Sequence, residues 1–287
     1  MYQELFIYIY NRTLKKMNQS LDTDERFKFG NNWKQFLRNL NKERINSSKS
    51  SLLSMLQIEN LEGKSFLDIG SGSGLSSLAA KNSGAKVYSY DYDLDSVECT
   101  KELKRRYFEK DENWEISQGS VLNENFSKEL GVFDVVYSWG VLHHTSDMYK
   151  AFDNVDLNVK KGGTLFIAIY NDQRRISRIW LKVKKTYVKI PLLRPLLILF
   201  GYAIFWVPFF IIDFFKFTPF KRWKEYKNRR GMSPHHDVVD WMGGYPFEVA
   251  KPEEVIHYFI EKGYNLSKLK TCGGRLGCVE YVFKKIE

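Results

Sequence analysis

Short apolar runs alternate with amphipathic stretches through the middle of the chain. The runs with the length and composition of buried strands are 65–69, 86–91, 114–118, 133–140 and 164–170. Between them, apolar residues return at helical spacing, as at Leu75, Leu78 and Ala79 after the first run. Strands that alternate with helices are typical of a parallel sheet covered on both faces. The pattern therefore predicts a doubly wound α/β fold.

The pattern is different before this region. The apolar residues that share one helical face there are Trp33, Phe36, Leu37 and Leu40. A second short helix is predicted at 51–56. We expect residues 1–60 to form a helical cap over the ligand side of the sheet, with plain core packing as the alternative role of Trp33 and Phe36.

The regular pattern stops at Asn171 and resumes at 251, where Pro252 suits the first turn of a helix. Two further strands, 266–272 and 278–285, then close the chain as an antiparallel hairpin. The sequence therefore divides into a core at 61–170, a mainly helical insertion at 171–250, and a segment at 251–287 that completes the core.

A glycine-rich turn follows the first strand, with Asp68 two residues before Gly70. Glycines at 70, 72 and 74 alternate with serines, and the helical pattern begins directly after them. Glycines lack a Cβ atom, so the backbone bends sharply there and a ligand can lie close to it. Open α/β sheets bind ligands at the carboxyl ends of their strands, where Asp68 lies. A turn without any ligand is the alternative.

The order Asp68-x-Gly70-x-Gly72-x-Gly74 resembles the first motif of class I S-adenosylmethionine (SAM) dependent methyltransferases. Dinucleotide enzymes instead use G-x-G-x-x-G to seat a pyrophosphate, which SAM lacks. Residues 138–144, Ser-Trp-Gly-Val-Leu-His-His, look like the fourth-strand motif of small-molecule methyltransferases, including quinone-biosynthesis enzymes. The resemblance covers 62–170 and the end of the chain. It implies a Rossmann-like methyltransferase sheet and SAM as the cofactor.

The resemblance also implies which residues contact SAM. A carboxylate at the end of the second strand suits the ribose diol, because each oxygen accepts one hydroxyl hydrogen bond. Asp91 is the best match, with Asp93 and Asp95 as competitors and Asp95 as the expected helix N-cap. Ser120 stands where many relatives carry an Asp for the adenine amine. The implied cofactor residues are Asp68, Gly70, Ser71, Gly72, Gly74, Asp91, Tyr92, Ser120, Val121, Trp139 and Gly140.

Methyl transfer to an oxygen nucleophile benefits from a base that accepts the hydroxyl proton. His143 and His144 follow the fourth strand, and histidine titrates near working pH. Either histidine is a candidate base, and either can instead bind backbone and shape the pocket.

Residues 232–246 of the insertion are dense in His, Asp, Trp and Gly. His236 and Asp237 form a rival acid–base pair there. The substrate-binding residues expected in this stretch are Asp240, Trp241 and Tyr245. An ordered loop that packs on the rest of the insertion is the alternative.

Residues 196–212 of the insertion contain no charged residue, and basic residues crowd both sides. As a helix the run would be about 25 Å long, short of the ~30 Å hydrocarbon layer, and Pro208 would kink it. We therefore expect 174–230 to dock on an anionic membrane surface without crossing it. The side chains expected to enter lipid are Phe200, Phe205, Trp206, Phe209 and Phe210. A buried lid or a homodimer contact is the main alternative, and a true membrane span is the remaining one.

The net charge of +10 favours an anionic partner, either nucleic acid or membrane. The basic residues lie on both sides of the apolar run. A nucleic-acid groove would instead combine basic residues with aromatic residues that stack on bases, so this pattern disfavours nucleic acid. The three cysteines and the His143-His144 pair lack metal-site spacing, so no metal is expected. Sparse cysteines suit a reducing cytoplasm, and residues 1–10 lack the basic start of a signal peptide. We expect a cytoplasmic protein that associates with membranes if the insertion docks.

The sequence motifs of two other kinds of methyltransferase are absent from the corresponding positions of this sequence. Amino-methylating relatives carry Asn/Asp-Pro-Pro-Tyr/Phe after the fourth strand, and cytosine-C5 enzymes need a cysteine near the fourth or fifth strand. The resemblance therefore implies O-methylation of a small-molecule, glycan or lipid-linked hydroxyl. RNA methylation is the alternative activity, and a non-catalytic SAM-fold protein that tethers partners at a membrane is the alternative of another class.

Overall fold

One mixed sheet organises the computed structural model, which describes residues 27–286 except 28, 39, 231–233 and 275. The strands are β1 (Ser65–Ile69), β2 (Lys86–Asp91), β3 (Trp114–Gln118), β4 (Phe133–Trp139), β5 (Val159–Tyr170), β6 (Tyr264–Lys270) and β7 (Cys278–Lys285). Their order across the sheet is β3-β2-β1-β4-β5-β7-β6. β1 to β5 pair in parallel, and β7 runs antiparallel between β5 and β6. The predicted doubly wound α/β sheet with an antiparallel C-terminal hairpin is confirmed.

Helices cover the sheet and build the insertion. They are α1 (Gly30–Arg38), α2 (Lys42–Leu56), α3 (Leu75–Lys81), α4 (Leu94–Phe108), α5 (Glu124–Leu130), α6 (Met148–Leu157), α7 (Arg175–Lys189), α8 (Arg194–Phe205), α9 (Val207–Phe215), α10 (Lys221–Arg230), α11 (Pro234–Gly243) and α12 (Pro252–Glu261). The second cap helix is longer than the predicted 51–56. It begins earlier because the side chain of Asn41 caps it, accepting the Arg44 N–H at 3.0 Å.

Both faces of the sheet are buried. Phe66 points into a core formed with α2, α3 and α4, whereas Leu67 points into a core formed with α5, α6 and α12. Parallel strands buried on both faces are apolar along their whole length, which accounts for the short unbroken runs in the sequence.

The described part of the N-terminal cap lies against α4. The Gly30 N–H donates to Asp93 Oδ2 at 3.0 Å, and Lys34 Nζ pairs with Asp95 Oδ1 at 2.8 Å. Asp93 also caps α4, because its Oδ1 accepts the Asp95 N–H at 2.9 Å. The prediction that Asp95 is the N-cap was therefore wrong by two residues.

The insertion between β5 and α12 is mainly helical, as expected, and it has its own apolar cluster. Trp180, Trp206 and Met242 are buried at the centre of that cluster. It joins the sheet through Tyr170 at the end of β5, whose ring centroid lies 5.3 Å from that of Phe247. Of the stretch 232–246, the described residues 234–246 form α11 and the short loop that follows it.

Candidate active site

The glycine turn after β1 packs closely against the end of β2 and against α1. Gly70, Gly72 and Gly74 have φ angles of 75°, 56° and 78°, values that favour glycine. The Gly70 N–H donates to the Tyr90 carbonyl at 2.8 Å, and a Cβ atom at Gly72 would lie 3.1 Å from the Trp33 ring. The turn therefore uses its glycines for backbone shape and for close packing under α1.

Asp68 lies inside the molecule rather than on the surface of the turn. Its carboxylate is 1% exposed and accepts the Ser77 hydroxyl at 2.5 Å. Ser77 in turn bonds Ser89, which accepts the Trp114 indole N–H at 3.0 Å. Burial raises the pKa of Asp68 to about 7. These contacts link Asp68 of β1 to α3, β2 and β3 through a buried chain of hydrogen bonds, and its predicted contact with a cofactor stays a prediction.

Asp91 is the carboxylate that meets the glycine turn. Its Oδ2 accepts the Gly72 N–H and its Oδ1 accepts the Asp93 N–H, each at 2.9 Å. Burial raises the pKa of Asp91 to about 6, against the opposing effect of these hydrogen bonds. A carboxylate offers about four lone-pair positions, so both oxygens retain capacity for a ligand hydroxyl. The competitors Asp93 and Asp95 serve α1 and the start of α4 instead.

Exposed aromatic side chains flank this turn at the carboxyl ends of β2 and β4. Tyr92 and Trp139 are 46% and 44% exposed. Gly140, next to Trp139, has φ 76° and no atom within 4 Å of the place where a Cβ would stand. Trp139 also borders an open cleft of about 460 Å³ between α2 and the sheet. After β3, Ser120 is half-buried and Val121 is buried.

The two neighbouring histidines differ in which ring nitrogen carries the proton. His144 Nδ1 donates to the Pro246 carbonyl at 2.6 Å, so the basic lone pair of its neutral ring is on Nε2. His143 Nδ1 instead accepts the Tyr170 N–H at 3.3 Å, which leaves the proton of its neutral ring on Nε2. Full burial, and then the positive charges of His144 and Lys184, hold the pKa of His143 well below its usual range. His143 is therefore a neutral ring without a free basic nitrogen.

Lys184 of α7 is brought close to this pair. Its side chain is fully buried, donates to the Trp241 carbonyl, and lies over the Trp241 and Phe247 rings at 4.6 and 4.9 Å. Burial lowers the pKa of Lys184 to about 7, and the nearby charge of Asp240 opposes that shift. A Cβ atom at Gly244 would lie 3.3 Å from His144 Cε1 and 3.4 Å from Lys184 Nζ. Only the narrow backbone of Gly244 therefore separates the two basic groups.

The residues predicted in the insertion divide into two groups. The Trp241 ring lies 5.6 Å from Tyr170, which itself lies 5.4 Å from His144, while Tyr245 is buried beside the same cluster. Asp240 is half-buried and acts electrostatically on Lys184. The rival base Asp237 instead accepts the Tyr226 hydroxyl of α10. The side chain of His236 lies outside the described residues.

Sequence reasoning missed Tyr170 and Lys184. Tyr170 ends β5, and its ring centroid lies 4.0 Å from that of His143, so its place at a strand end next to the histidine-bearing turn was a usable signal. Lys184 gave no such signal, because it is one of many basic residues before the apolar run. In the described ranges, no three His, Cys, Asp or Glu side chains converge as a metal site would require.

The chain is similar to known methyltransferases in sequence and in fold. Residues 40–195, more than half of the chain, match a family described as "Methyltransferase domain". A ubiquinone biosynthesis O-methyltransferase of Brucella ovis is 32% identical over 111 residues, which cover 39% of this chain and 43% of that relative. A ribosomal protein L11 methyltransferase of Helicobacter hepaticus is 27% identical, with the same two shares covered. The alignments thus span less than half the length of these curated relatives.

A solved structure supports the fold independently. The magnesium protoporphyrin IX methyltransferase of Synechocystis PCC 6803, crystallised with bound SAH, matches with a TM-score of 0.50 and 11% identity, covering 84% of this chain and 83% of that one. The strand order, the glycine turn after β1 and the family match agree. The chain therefore belongs to the class I S-adenosylmethionine-dependent methyltransferase family.

Proposed function

We propose that this protein transfers the methyl group of SAM to a hydroxyl oxygen of a small-molecule acceptor, with His144 as the general base. The observation that carries the proposal is the hydrogen bond from His144 Nδ1 to the Pro246 carbonyl at 2.6 Å. This contact directs the basic lone pair to Nε2 of a ring whose centroid lies 5.4 Å from that of Tyr170.

The residues around the glycine turn fit SAM. Asp91 retains lone pairs for the ribose hydroxyls, and the space beside Gly140 is open. The exposed rings of Tyr92 and Trp139 supply apolar surface for a nucleoside. We assign the cofactor contacts to these residues together with Gly70, Ser71, Gly72, Gly74, Ser120 and Val121. When bound, SAM supplies an electrophilic methyl carbon.

The protein's own part in the reaction is to orient the acceptor and take its proton. The hydroxyl proton passes to His144 Nε2, and the Pro246 carbonyl holds the ring in place before and after that transfer. His143 positions the end of β5 through the Tyr170 N–H. Tyr170, Trp241 and Tyr245 give the acceptor side of the site its aromatic walls, with Asp240 as a half-buried carboxylate and Lys184 as a buried amine against the Trp241 ring.

The choice of an oxygen acceptor rests on two supports. The site has a positioned histidine base and lacks the Asn/Asp-Pro-Pro-Tyr/Phe stretch of amino-methylating relatives. One curated relative over the core region is a ubiquinone biosynthesis O-methyltransferase.

Isotope transfer into separated cell fractions tests the proposal. Purified protein is incubated with methyl-labelled SAM and an extract of cells that lack it, and the extract is then divided into metabolite, lipid, RNA and protein fractions. We expect label on a hydroxyl oxygen in the metabolite or lipid fraction. Label confined to RNA or protein, or no transfer by protein that binds SAM, would contradict the proposal.

A further inference from the structure

The helices α8 and α9 turn apolar side chains outward. Exposed apolar residues occur repeatedly along 192–217, and eight of them define what we call the outer face. Its members are Leu192, Leu196, Leu199, Val207, Ile211, Phe214, Phe215 and Phe217. Leu192 and Phe217 are 88% and 93% exposed. Soluble proteins rarely expose apolar surface this continuous unless something covers it.

The polar groups of the same segment face inward. Asp213 is the single charged residue between Arg194 and Lys216. It is 2% exposed and pairs with Arg222 of α10, with Oδ1 and Nη1 2.7 Å apart. Trp206 is likewise buried, with its ring 4.6 Å from Trp223. The segment therefore has polar groups inside and apolar groups outside, the reverse of a helix in water.

This arrangement corrects the side chains predicted to enter lipid. Trp206 is buried, and Phe205 and Phe210 are half-buried against the insertion's own cluster. Phe200 and Phe209 are exposed as predicted, at 43% each. The periodicity of an all-apolar run could not distinguish these faces, because every face of it is apolar.

Basic residues flank the outer face on both sides in the sequence. Residues 174–230 contain 15 Lys and Arg against two Asp and Glu, so the rest of the chain is slightly acidic. Arg175, Arg178 and Lys182 are exposed on α7, which packs on α8 through the stacked rings of Trp180 and Phe205, 5.6 Å apart. The charge excess of the whole protein is therefore concentrated beside its most apolar surface.

We propose that the outer face docks on an anionic phospholipid surface, with α8 and α9 lying in the headgroup plane. Apolar side chains that face outward between clusters of Lys and Arg match an acyl boundary below a layer of phosphates. A second copy of this chain fits less well, because a symmetric contact would bring two strongly basic regions together.

The packing of α8 and α9 favours a segment that docks on the membrane over one that spans it. The length of the segment does not distinguish the two. The helical segment Pro191–Phe215 is longer than the apolar run, and by length and composition it qualifies as a membrane span. The length argument drawn from 196–212 alone was therefore wrong. Gly201, however, lets α8 approach α11 so closely that a Cβ there would meet Val238 at 2.7 Å. A span would have to give up this contact and the Asp213–Arg222 pair.

Docking would bring the bilayer close to the proposed active site. The ring of Phe200 lies 6.4 Å from Trp180, which lies 5.5 Å from Trp241, and Trp241 reaches His144 through Tyr170. A membrane-resident hydroxyl compound is therefore the acceptor class that we infer. This last step rests on the proposed function, whereas docking itself does not.

Vesicle flotation of the purified full chain tests docking without any methyl acceptor. The protein should float with vesicles of equal parts phosphatidylglycerol and phosphatidylcholine at low salt, and should float less in molar salt. It should stay at the bottom with phosphatidylcholine alone. A failed methyltransferase assay leaves this result untouched, so the two proposals fail separately.

Matched variants locate the contact. The combined change Leu196→Ser, Phe214→Ser and Phe215→Ser should weaken flotation at least about tenfold, because it removes apolar surface from the lipid side. Its control is Leu94→Ser, Val132→Ser and Ile260→Ser, which alters three apolar residues elsewhere that are each more than half exposed. Arg175→Glu, Arg178→Glu and Lys182→Glu should weaken flotation by about a hundredfold. The control for this variant is Lys86→Glu, Lys110→Glu and Lys161→Glu, which changes exposed lysines in the region 61–170.

Three results would overturn the proposal. The first is a protein that stays at the bottom with anionic vesicles at low salt. The second is a lipid-free dimer in analytical ultracentrifugation that the triple serine variant dissociates, which would assign the outer face to a second copy. The third is retention in cell membranes after alkaline carbonate extraction, which would assign it to a span.

Discussion

The glycine-turn edge of the sheet and the outer face of the insertion distribute polarity in opposite directions. At the sheet edge, the half-buried Asp91 carboxylate accepts backbone N–H groups and still borders solvent. On the outer face, Phe214 and Phe215 are 71% and 75% exposed, while the Asp213 carboxylate is buried. One region presents hydrogen-bonding groups to its ligand side, and the other presents mainly apolar side chains.

The difference indicates two kinds of neighbour. A small polar ligand is recognised by a few positioned acceptors and aromatic walls. An extended apolar layer is recognised by exposed area and flanking charge. Replacing polar residues at the sheet edge should therefore change turnover and ligand affinity. Replacing the buried polar residues of the insertion should instead change the free energy of unfolding.

The largest effect is expected at the histidine pair. His144→Asn keeps a donor for the Pro246 carbonyl but removes the basic Nε2, so turnover should fall by about 10²–10⁴ with SAM affinity retained. The control His143→Asn keeps an acceptor for the Tyr170 N–H and should lose much less. Steady-state kinetics and calorimetry measure both quantities. Equal turnover in the two variants would remove His144 from the role of base.

The next largest effect is expected on stability, from breaking the buried Asp213–Arg222 ion pair of the insertion. Arg222→Met leaves Asp213 buried without its cation, which typically costs about 3–5 kcal/mol of unfolding free energy. The value should fall near the lower end because the Arg222 N–H still donates to Asp213 Oδ2. Urea unfolding followed by tryptophan fluorescence reports it. Lys221→Met, in an exposed pair with Glu225, is the control and should cost under about 1 kcal/mol.

Removing the Asp91 carboxylate should have a smaller effect, and only on the affinity for SAM. Asp91→Ala removes hydrogen bonds to a charged group, worth about 1.5–3 kcal/mol, so SAM should bind about 10- to 150-fold more weakly by calorimetry. Because the pKa of Asp91 is raised to about 6, the wild-type carboxyl is largely protonated at pH 5 and the difference should narrow there. Asp95→Ala is the matched control. Unchanged SAM affinity in Asp91→Ala would refute its role.

The smallest effect concerns Lys184 and pH. Its folded pKa is lowered from 10.5 to about 7, so between these values the unfolded chain holds a proton that the folded protein lacks. Stability should therefore rise from pH 7 toward pH 9, by at most about 1.4 kcal/mol per pH unit. Lys184→Met should flatten this slope, and Lys185→Met on the same helix should not. A slope that survives Lys184→Met would show that Lys184 is not its source.

Much of the sheet edge was predictable because its signals are local. The acid, the three glycines and the helical pattern after them lie within about ten residues, and Asp91 ends the next strand. Right-handed crossovers between alternating strands and helices restrict the possible strand orders, but the order itself came only from the structure. The boundaries of the cap helix and the N-cap of α4 were less predictable, because three closely spaced acids compete for one role.

The sequence by itself determined the fold class, the family motif and the short set of candidate residues, because each depends on neighbours in the chain. Only the tertiary structure decided which histidine keeps a basic nitrogen, since the carbonyl of Pro246 that selects the tautomer is 102 residues from His144. It alone showed that Lys184 is buried among aromatic rings while Arg178 and Lys182 of the same helix are exposed. It alone also gave the apolar run an inside and an outside. Solvent exposure depends on what packs against a helix, and that contact is made by residues far away in the chain.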